Sequence, residues 1–331
     1  MVARLRDAVE DAGQSQVWVK PPAEGRFPPP SAHTPLEALV VAASYPRVLA
    51  ALERQSAKDN LEIKLQETRG PEGERRADLR LARGGERVCR WRLREVRQLR
   101  RAAIVIDDLG ADLEAARTLL ALPYPLTCSV LPHLRSSRET AQEAHRAGRE
   151  VMLHLPMEPE RGASISPGPG EIATGMDAAA VDRVVEQDLA AVPYVAGVNN
   201  HMGSRATADA ALMAEVMRSL AGHRLYFVDS RTTGATVALD AARRQGLPAF
   251  YRSVFLDDTE TVPYTLGQLR EFLRVVQEQG AALAIGHPHP TTLAALTQFL
   301  PELEKNDIQL VPPSELVRLP EVARLSPPRA R

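Results

Sequence analysis

The chain has 331 residues, of which 44% are hydrophobic and 25% are charged, a composition typical of globular proteins and unlike that of disordered or membrane-embedded chains. Its formal net charge of -1 supplies no global field for nucleic acid or an anionic membrane. The two cysteines, Cys89 and Cys128, fall in different predicted segments, which excludes a disulfide framework and a cysteine-based zinc site.

Two features bear on location. No run of about 18 apolar residues occurs, so no membrane span is predicted. The first residues also lack the apolar core of a secretory signal peptide. We therefore expect either a cytoplasmic chain or one from which an export segment has been removed.

Residues 1–100 are predicted to form a small α+β domain whose role the sequence does not disclose. A helix over Leu5–Ala12 and a strand over Gln16–Val19 precede a proline-rich loop at 21–30. Thr34 followed by Pro35 matches an N-cap with proline at the first helical position, which predicts a helix toward Gln55. Period-two alternation then predicts three strands, with a hairpin turn at 84–85: Leu61–Thr68, Ala77–Arg83 and Arg87–Val96.

Arginine is concentrated between residues 69 and 101. The arginines alternate with Val88, Trp91 and Leu93. This pattern favours the solvated face of a strand over a nucleic-acid patch.

From Ala102 onward, short apolar strands alternate with helices of 10 to 16 residues. The predicted strands are Ala102–Ile106, Leu126–Leu131, Glu150–Leu155, Val195–Asn199, Leu225–Val228, Ala249–Leu256, Ala281–Ile285 and Ile308–Val311. The predicted helices are Leu113–Leu122, Ser137–Ala147, Asp177–Val192, Asp209–Ala221, Thr236–Gln245, Thr265–Gln279 and Thr291–Lys305. This rhythm predicts an α/β fold, a distorted (β/α) barrel with seven or eight parallel strands over residues 101–320, followed by a tail at 321–331. The absence of a glycine-rich phosphate loop after the first strand disfavours a dinucleotide-binding domain.

Most of the predicted strands end in polar residues suited to metal or acid/base chemistry. These endings are Asp107-Asp108, His154, Asn199-Asn200-His201, Asp229, Asp257-Asp258 and His287. Because the carboxyl ends of parallel strands meet on one face, we expect these side chains to form a single site.

Each ending also has a structural explanation. A single aspartate at the position of Asp107 or Asp108 could cap the next helix, whereas a pair can divide the roles of metal ligand and base. His154 could be a buried core histidine, but Glu158 four residues on gives a spacing found in metal sites. The string Asn199-Asn200-His201 could form a turn, although such groups are costly to bury unpaired.

The remaining groups are expected to support this site. Asp229 and Asp257 are predicted to orient ligand histidines, and the prolines around His287 and His289 stiffen that strand exit. The irregular segment Glu158–Gly175 is predicted to be a substrate-binding loop, with a plain connection as the alternative.

Residues 102 to about 318 resemble the divergent polysaccharide deacetylase family, distant relatives of NodB-type carbohydrate esterases. Five strings carry the resemblance: Val105-Ile106-Asp107-Asp108-Leu109-Gly110, Leu153-His154-Leu155-Pro156-Met157-Glu158, Asn199-Asn200-His201-Met202-Gly203-Ser204, Phe227-Val228-Asp229-Ser230 and Ile285-Gly286-His287-Pro288-His289-Pro290. The resemblance implies a (β/α) barrel, a divalent metal that is usually zinc, a carbohydrate or peptidoglycan-type substrate and an extracytoplasmic location.

The resemblance also implies roles for individual residues. Asp107 would be the base, Asp108 and His154 metal ligands, and His287 the general acid. The chain departs from the wider pattern in two places. Glu158 stands where a second ligand histidine is expected, and the Asn-Asn-His string replaces the usual Arg-Pro-Pro-Tyr-Gly. We therefore expect His201 to be the third ligand, with Glu158 as the competing ligand.

These observations support hydrolysis of an acyl group on a carbohydrate as the leading hypothesis. Two alternatives stay open. The first is a catalytically silent envelope protein that holds a glycan in the same pocket. The second is a metal-free hydrolase that pairs Asp107 or Asp108 with Asp257 as two carboxylates.

Overall fold

A computed structural model describes residues 1–21, 34–160, 166–319, 325 and 327. The chain divides into two compact units, Met1–Arg100 and Arg101–Arg331. Every helix within the described residues is too short or too polar to cross a lipid bilayer. The predicted proline-rich loop falls mostly at 22–33, and most of the predicted tail at 321–331 likewise lies outside the described residues.

The first unit is a five-stranded mixed sheet with two helices. Its elements are α1 (Val2–Gly13), β1 (Val17–Val19), β2 (Pro35–Val41), α2 (Tyr45–Lys58), β3 (Glu62–Arg69), β4 (Arg75–Arg83) and β5 (Glu86–Val96). The strand order is β1-β2-β5-β4-β3, in which only β2 and β5 run parallel. Apolar side chains of both helices, among them Val9 and Leu52, pack with Trp91 and Leu79 from one face of the sheet. The predicted hairpin turn is present, with both glycines at positive φ.

The helix predicted from Thr34 toward Gln55 is wrong in its first half. Pro35–Val41 is strand β2, which lies between β1 and β5, and the helix begins only at Tyr45. The motif of Thr34 and Pro35 was misleading because Leu36, Ala38 and Val40 alternate into the core beside Trp91. Pairing on both edges of the strand outweighs the local N-cap signal, whereas Pro46 occupies the first turn of α2.

The second unit is a curled sheet of parallel strands surrounded by helices. Its strands are β6 (Arg100–Leu109), β7 (Thr127–Val130), β8 (Val151–Met157), β9 (Val195–Met202), β10 (Tyr226–Asp229), β11 (Ala249–Tyr251), β12 (Val254–Phe255), β13 (Ala281–Gly286) and β14 (Ile308–Leu310). Its helices are α3 (Leu113–Leu120), α4 (Ser137–Arg146), α5 (Ala178–Ala191), α6 (Ala210–Ala221), α7 (Ala238–Arg244), α8 (Val262–Gln279), α9 (Pro290–Lys305) and α10 (Pro313–Leu316). Eight strands pair in parallel in the order β11-β10-β9-β8-β7-β6-β13-β12, and β14 also pairs with β6. The predicted (β/α) barrel class is confirmed.

One predicted strand is wrong in detail. The segment Ala249–Leu256 forms two short strands at opposite edges of the sheet, β11 beside β10 and β12 beside β13. Two residues, Arg252 and Ser253, connect β11 to β12 across the gap between the two edges of the curled sheet, which we call the seam. The backbone N–H of Arg252 donates to Asp229 O at 2.9 Å, and that of Ser253 donates to Leu283 O at 2.7 Å. The curled sheet is thus joined across its seam by a single connecting peptide.

Candidate active site

Asp107 and Asp108 lie in a β-bulge near the carboxyl end of β6. The pairing of β6 with β7 runs regularly to Ile106 and resumes at Leu109, so β6 carries one extra residue there. Asp108 has a φ of 57°, in the left-handed region that aspartate adopts more readily than most residues. Neighbouring side chains of a regular strand point to opposite faces, but this bulge brings both carboxylates toward His154, at 3.6 Å for Asp107 Oδ2 and 3.2 Å for Asp108 Oδ1.

Three side chains from three strands converge beside this bulge. Asp108 Oδ1 lies 3.2 Å from His154 Nε2 and 3.1 Å from His201 Nδ1. The two ring nitrogens are 3.1 Å from each other. The three donor atoms therefore form a nearly equilateral triangle, supplied by β6, β8 and β9.

This triangle fits a divalent cation, and zinc in particular. Two imidazole nitrogens and one carboxylate oxygen are a common ligand set for zinc, and ligands at about 2.0 to 2.1 Å from a tetrahedral ion stand about 3.3 Å apart. Asp108 Oδ1 is buried and receives no well-aligned hydrogen bond from any described residue, which is costly for a carboxylate unless a cation balances it.

The electrostatics of the triangle also favour a cation. Burial alone would raise the pKa of Asp108, but the contacts with His154 and His201 outweigh burial and hold that pKa well below its usual range. Burial likewise opposes the charged form of His154, yet the carboxylates of Asp107 and Asp108 outweigh it and raise the pKa of His154. The pocket carries an excess of negative charge that a bound cation would neutralise.

Asn199 connects the triangle to Asp107. Its Oδ1 lies 3.0 Å from His154 Nδ1 and accepts a hydrogen bond from Ser129 Oγ at 2.7 Å. Its Nδ2 donates to both oxygens of Asp107, at 2.9 and 3.1 Å, and approaches Ser230 Oγ at 3.3 Å. Because an amide oxygen can only accept, Nδ1 of His154 carries the proton and its Nε2 lone pair faces the triangle.

His287 lies on the other side of the triangle, after β13. Its Nε2 is 3.7 Å from Asp108 Oδ2 and its Nδ1 is 3.0 Å from Asp257 Oδ1. Burial alone would lower the pKa of His287, but the hydrogen bond with Asp257 and the nearby carboxylates of Asp107 and Asp108 raise it to about 9. This histidine is therefore protonated at neutral pH and can act as an acid.

Hydrogen bonds from a backbone N–H and a threonine hydroxyl hold the Asp257 carboxylate in place. Its Oδ2 accepts hydrogen bonds from the backbone N–H of His287 at 2.6 Å and from Thr292 Oγ1 at 2.7 Å. The contacts of both oxygens are with His287 and Thr292, which places Asp257 behind the histidine. This arrangement does not support the metal-free hypothesis, which needs Asp257 to act directly opposite another carboxylate.

Three other expected site residues lie outside the triangle. Asn200 points away from Asn199, accepts a hydrogen bond from Ser230 N at 2.9 Å and donates to Met202 O at 2.8 Å. Asp229 closes the turn after β10 through Arg231 N and Thr236 Oγ1, and burial raises its pKa. His289 lies beside His287 at a ring separation of 5.7 Å, and its Nδ1 is 3.6 Å from Glu260.

Both carboxylate oxygens of Glu158 are bound to other residues and not directed at the triangle, so the structure does not support Glu158 as the competing metal ligand. Its Oε1 pairs with Arg205 at 2.6 Å, and its Oε2 accepts from both the backbone N and the hydroxyl of Thr174. These contacts hold Thr174, near the end of the segment that follows β8, against Glu158. Ile172 of the same segment forms a parallel β-bridge with Met157. Residues 161–165 of the predicted substrate-binding loop lie outside the described residues.

Sequence reasoning missed four residues that complete the site. Three of them orient Asn199, Asp257 or the strand exits, and one packs against His287; they are Ser129, Arg252, Thr292 and Phe255. Arg252 lies over the Phe255 ring at 4.9 Å, and Phe255 meets His287 edge to face at 5.4 Å. A serine in the otherwise apolar strand β7 was the one available signal, because a buried hydroxyl needs a partner.

Comparisons with known proteins identify a family and several similar proteins. The family described as divergent polysaccharide deacetylase matches residues 104–317. An uncharacterized protein, YibQ, of Escherichia coli K12 is 38% identical over 230 residues, which is 69% of this chain and 70% of that protein. An uncharacterized protein of Haemophilus influenzae is 39% identical over 209 residues, covering 63% of this chain and 74% of that one. A crystal structure of an uncharacterized protein from Agrobacterium tumefaciens C58 superposes with a TM-score of 0.63 at 25% identity, covering 66% of this chain and 89% of that one.

Proposed function

This chain belongs to the divergent polysaccharide deacetylase family, and from that premise we propose that it is a metal-dependent hydrolase that removes an acyl group, such as acetyl, from a carbohydrate. One observation carries the proposal. Asp108, His154 and His201 offer three ligand atoms within 4.8 Å of one another, flanked by Asp107 on one side and His287 on the other.

Asp108, His154 and His201 are the residues that would hold the ion. When bound, a divalent cation such as zinc supplies Lewis acidity, which lowers the pKa of water and polarises an acyl carbonyl. Asn199 holds His154 in the tautomer that presents Nε2 to the ion, and fixing the ring in this way raises ligand affinity.

In this proposal Asp107 acts as the general base. Asn199 holds both of its oxygens from one side, but each carboxylate oxygen has two acceptor directions, so the group can still take a proton from an attacking water. The burial of Asp107 at 3% exposure keeps it close to the triangle and limits competition from bulk water.

His287 acts as the general acid. Its proton is retained at neutral pH because of Asp257, and its Nε2 faces the triangle from the side opposite Asn199. Loss of that proton to the departing amine or alkoxide completes cleavage of the acyl bond. The carboxylate of Asp257 then stabilises the imidazole in a single orientation.

The proposed substrate class is an acylated carbohydrate or a peptidoglycan-type polymer, and the proposed location is extracytoplasmic. Both rest on the family, whose name describes polysaccharide deacetylases. In this proposal the acyl carbon of such a substrate would lie beside the triangle, within reach of both Asp107 and His287.

Release of acetate tests the proposal. The full chain would be stripped of metal, reloaded with zinc and incubated with acetylated chitooligosaccharides and peptidoglycan fragments. We expect acetate release by the zinc-loaded protein and none by the stripped protein. Zinc binding at one equivalent without acetate release from either substrate class would contradict a hydrolase and favour the second candidate.

That second candidate is a catalytically silent protein that holds a glycan in the same pocket. The contact of Asn199 Nδ2 with both oxygens of Asp107 favours it, because these bonds occupy acceptor positions that a general base would use to take a proton. Titration calorimetry with the same oligosaccharides distinguishes the two candidates, since a silent binder shows affinity without turnover.

A further inference from the structure

Within the described residues of the first unit, both helices lie on one face of the sheet, and the opposite face carries no helix of this unit. On the second face, most of the alternate residues of β4 and β5 are charged, and β3 adds two charged residues. Six cationic residues stand there against three acidic ones, in the register set by strand pairing: Arg76, Arg80, Arg90, Arg92, Arg94 and Lys64, with Asp78, Glu37 and Glu62. We call this set the arginine face.

The acidic residues only partly neutralise the arginine face. Asp78 lies at its centre, where it contacts Arg90 directly and stands 3.6 Å from Arg80 and 3.9 Å from Arg92. One carboxylate is therefore shared among three guanidinium groups. Glu37 meets Arg92 at 3.5 Å, and Glu74, at the edge of the face, accepts a hydrogen bond from Arg76 Nε at 2.9 Å. With Glu74 counted, the six cations still exceed the carboxylates by two.

The same face is concave and accessible. A groove of about 440 Å³ is lined by residues of β2, β3, β4 and β5, among them Thr68, Arg76, Asp78, Arg92 and Arg94. The side chains of Arg80 and Arg92 are about half exposed, at 50% and 48%. Residues on alternate positions of one strand are about 7 Å apart and neighbouring strands about 5 Å apart, so the cations form a regular grid.

We propose that the arginine face docks an acidic polysaccharide, a glycan chain that carries carboxylates at regular intervals. The planar guanidinium group presents a fork of donors that matches a carboxylate, and a grid of such groups can follow an extended chain. The proposal rests on the proposed function, because it assigns the first unit to holding the polymer whose acyl groups the barrel would remove.

The chemistry of the face favours a glycan over nucleic acid or a membrane. Single-stranded nucleic acid binds through exposed aromatic rings on which bases stack, and the one tryptophan on this face, Trp18, is 7% exposed and packs against Leu39 and Leu99. Within the described residues of the first unit, the face is also formed by strands and carries no helix that could enter a DNA groove. Membrane docking would require apolar side chains that protrude among the cations, but the two leucines of the groove lining, Leu39 and Leu93, are only 4% and 1% exposed.

A charge-reversal experiment on the full chain tests the proposal. The probe is polygalacturonate, with its fully methyl-esterified form as the neutral counterpart. We expect binding of polygalacturonate alone, with binding by the Arg80→Glu/Arg92→Glu variant weaker by about tenfold or more. The matched control is Arg54→Glu/Lys58→Glu, which makes the same change in net charge on the exposed side of α2 and should bind as the wild type does. Thermal unfolding of both variants checks that the sheet remains intact.

A second variant is expected to change binding in the opposite direction. Asp78→Asn removes the shared carboxylate and releases three guanidinium groups, so affinity for polygalacturonate should rise severalfold and become more sensitive to salt. Equal binding of the methyl ester, equal losses in the two reversal variants or no gain in Asp78→Asn would overturn the proposal. Stronger binding of single-stranded DNA than of polygalacturonate would also overturn it.

The failure of this proposal can be told apart from failure of the proposed function. Asp108→Ala should abolish acetate release and leave polygalacturonate binding unchanged. The Arg80→Glu/Arg92→Glu variant should keep its rate on a short neutral oligosaccharide and lose only polymer binding.

Discussion

The two sides of the candidate site use the same side chain in different ways. His154 and His287 both have an oxygen 3.0 Å from Nδ1, but the oxygen is an amide oxygen of Asn199 in one case and a carboxylate oxygen of Asp257 in the other. An amide oxygen holds the proton on Nδ1 and leaves Nε2 facing the triangle, whereas a carboxylate stabilises the charged ring. The partner of Nδ1 thus divides the two histidines into a metal ligand and a proton donor.

This difference shows why the chain can place two imidazoles near the same aspartate without making them equivalent. His154 Nε2 and His287 Nε2 both approach Asp108, through its two separate oxygens, at 3.2 and 3.7 Å. Proximity to Asp108 therefore does not assign their roles. The partners of Nδ1, Asn199 and Asp257, assign the roles, and these two residues can be substituted experimentally.

The largest expected effect separates the metal ligands from the acid. Asp108→Ala and His154→Ala should each lose stoichiometric zinc, because two remaining ligands do not hold a zinc ion tightly. His287→Gln should keep one equivalent of zinc and lose about 10²- to 10⁴-fold in kcat, the usual contribution of a general acid. Metal analysis and acetate release on the same preparations measure both effects.

Two results would break this division. Full zinc occupancy in both Asp108→Ala and His154→Ala would remove the metal triangle from the proposal. Loss of zinc in His287→Gln would show that His287 is a ligand. Asp182→Ala, which removes an exposed carboxylate on α5, is a suitable control and should change neither readout.

A smaller effect is expected when the residues behind the rings are changed. Asp257→Asn gives His287 an amide partner like that of His154, so kcat should fall by about 10²-fold with zinc affinity unchanged. Asn199→Ala removes the partner of His154 and should weaken zinc binding by about 10- to 100-fold. The measurements are kcat and a zinc competition titration. Asp257→Asn should change kcat alone, whereas Asn199→Ala should weaken zinc binding and, because Asn199 also holds Asp107, lower kcat as well.

Asp229→Asn is the matched control for this pair. Asp229 is also a buried carboxylate at a strand end, but its oxygens bond Arg231 N and Thr236 Oγ1 and touch neither histidine. A change in kcat for Asp229→Asn as large as that for Asp257→Asn would mean that loss of any buried carboxylate disturbs the barrel, which would undermine the assigned role of Asp257.

Glu158 provides a third and weaker test. Glu158→Gln should keep full zinc occupancy, because both oxygens of Glu158 serve Arg205 and Thr174. The variant should raise KM a few fold, since the residues around Thr174 lose a charge-assisted anchor beside the site. Zinc loss in this variant would restore Glu158 as a ligand.

Much of the barrel could be predicted from the sequence because its signals are local. Most strands are short apolar runs, and several helices have end signals, such as Asp112 and Asp209, whose carboxylates accept hydrogen bonds from backbone N–H groups at the helix start. The segment Ala249–Leu256 was predicted as one strand but forms two, because pairing with two opposite edges of a sheet is a property of the closed fold. Nothing in an eight-residue apolar run encodes it.

The site shows the same limit. Strand-end residues such as His154 and His287 are visible in the sequence, and their convergence follows from parallel strands. The β-bulge that turns both Asp107 and Asp108 inward depends on the register between β6 and β7, and the contacts of Asn199 depend on side chains from four strands. Alternation along a regular strand would have pointed the two aspartates apart.

A third histidine–carboxylate pair, away from the triangle, supplies the last comparison. His133 Nε2 lies 2.7 Å from Oδ1 of Asp188 in α5. Asp188 is fully buried, and its Oδ2 accepts no hydrogen bond from the described residues. Burial therefore raises the pKa of Asp188 to about 8, whereas the pKa of Asp257, which has three hydrogen bonds around it, is lowered despite burial.

The ionisation of Asp188 should change the free energy of unfolding and leave the activity unchanged. Because the pKa of Asp188 is about 8 in the folded protein and 3.8 in the reference state, the folded protein holds the extra proton between about pH 4 and 8. The free energy of unfolding should therefore fall as pH rises through that window, by at most about 1.4 kcal/mol per pH unit. Asp188→Asn removes this dependence, so urea unfolding at pH 5 and pH 8 should show a smaller loss in the variant than in the wild type. Parallel pH profiles for the two proteins would mean that His133 or solvent stabilises the carboxylate of Asp188, as His287 does that of Asp257, and the contrast between the two pairs would then disappear.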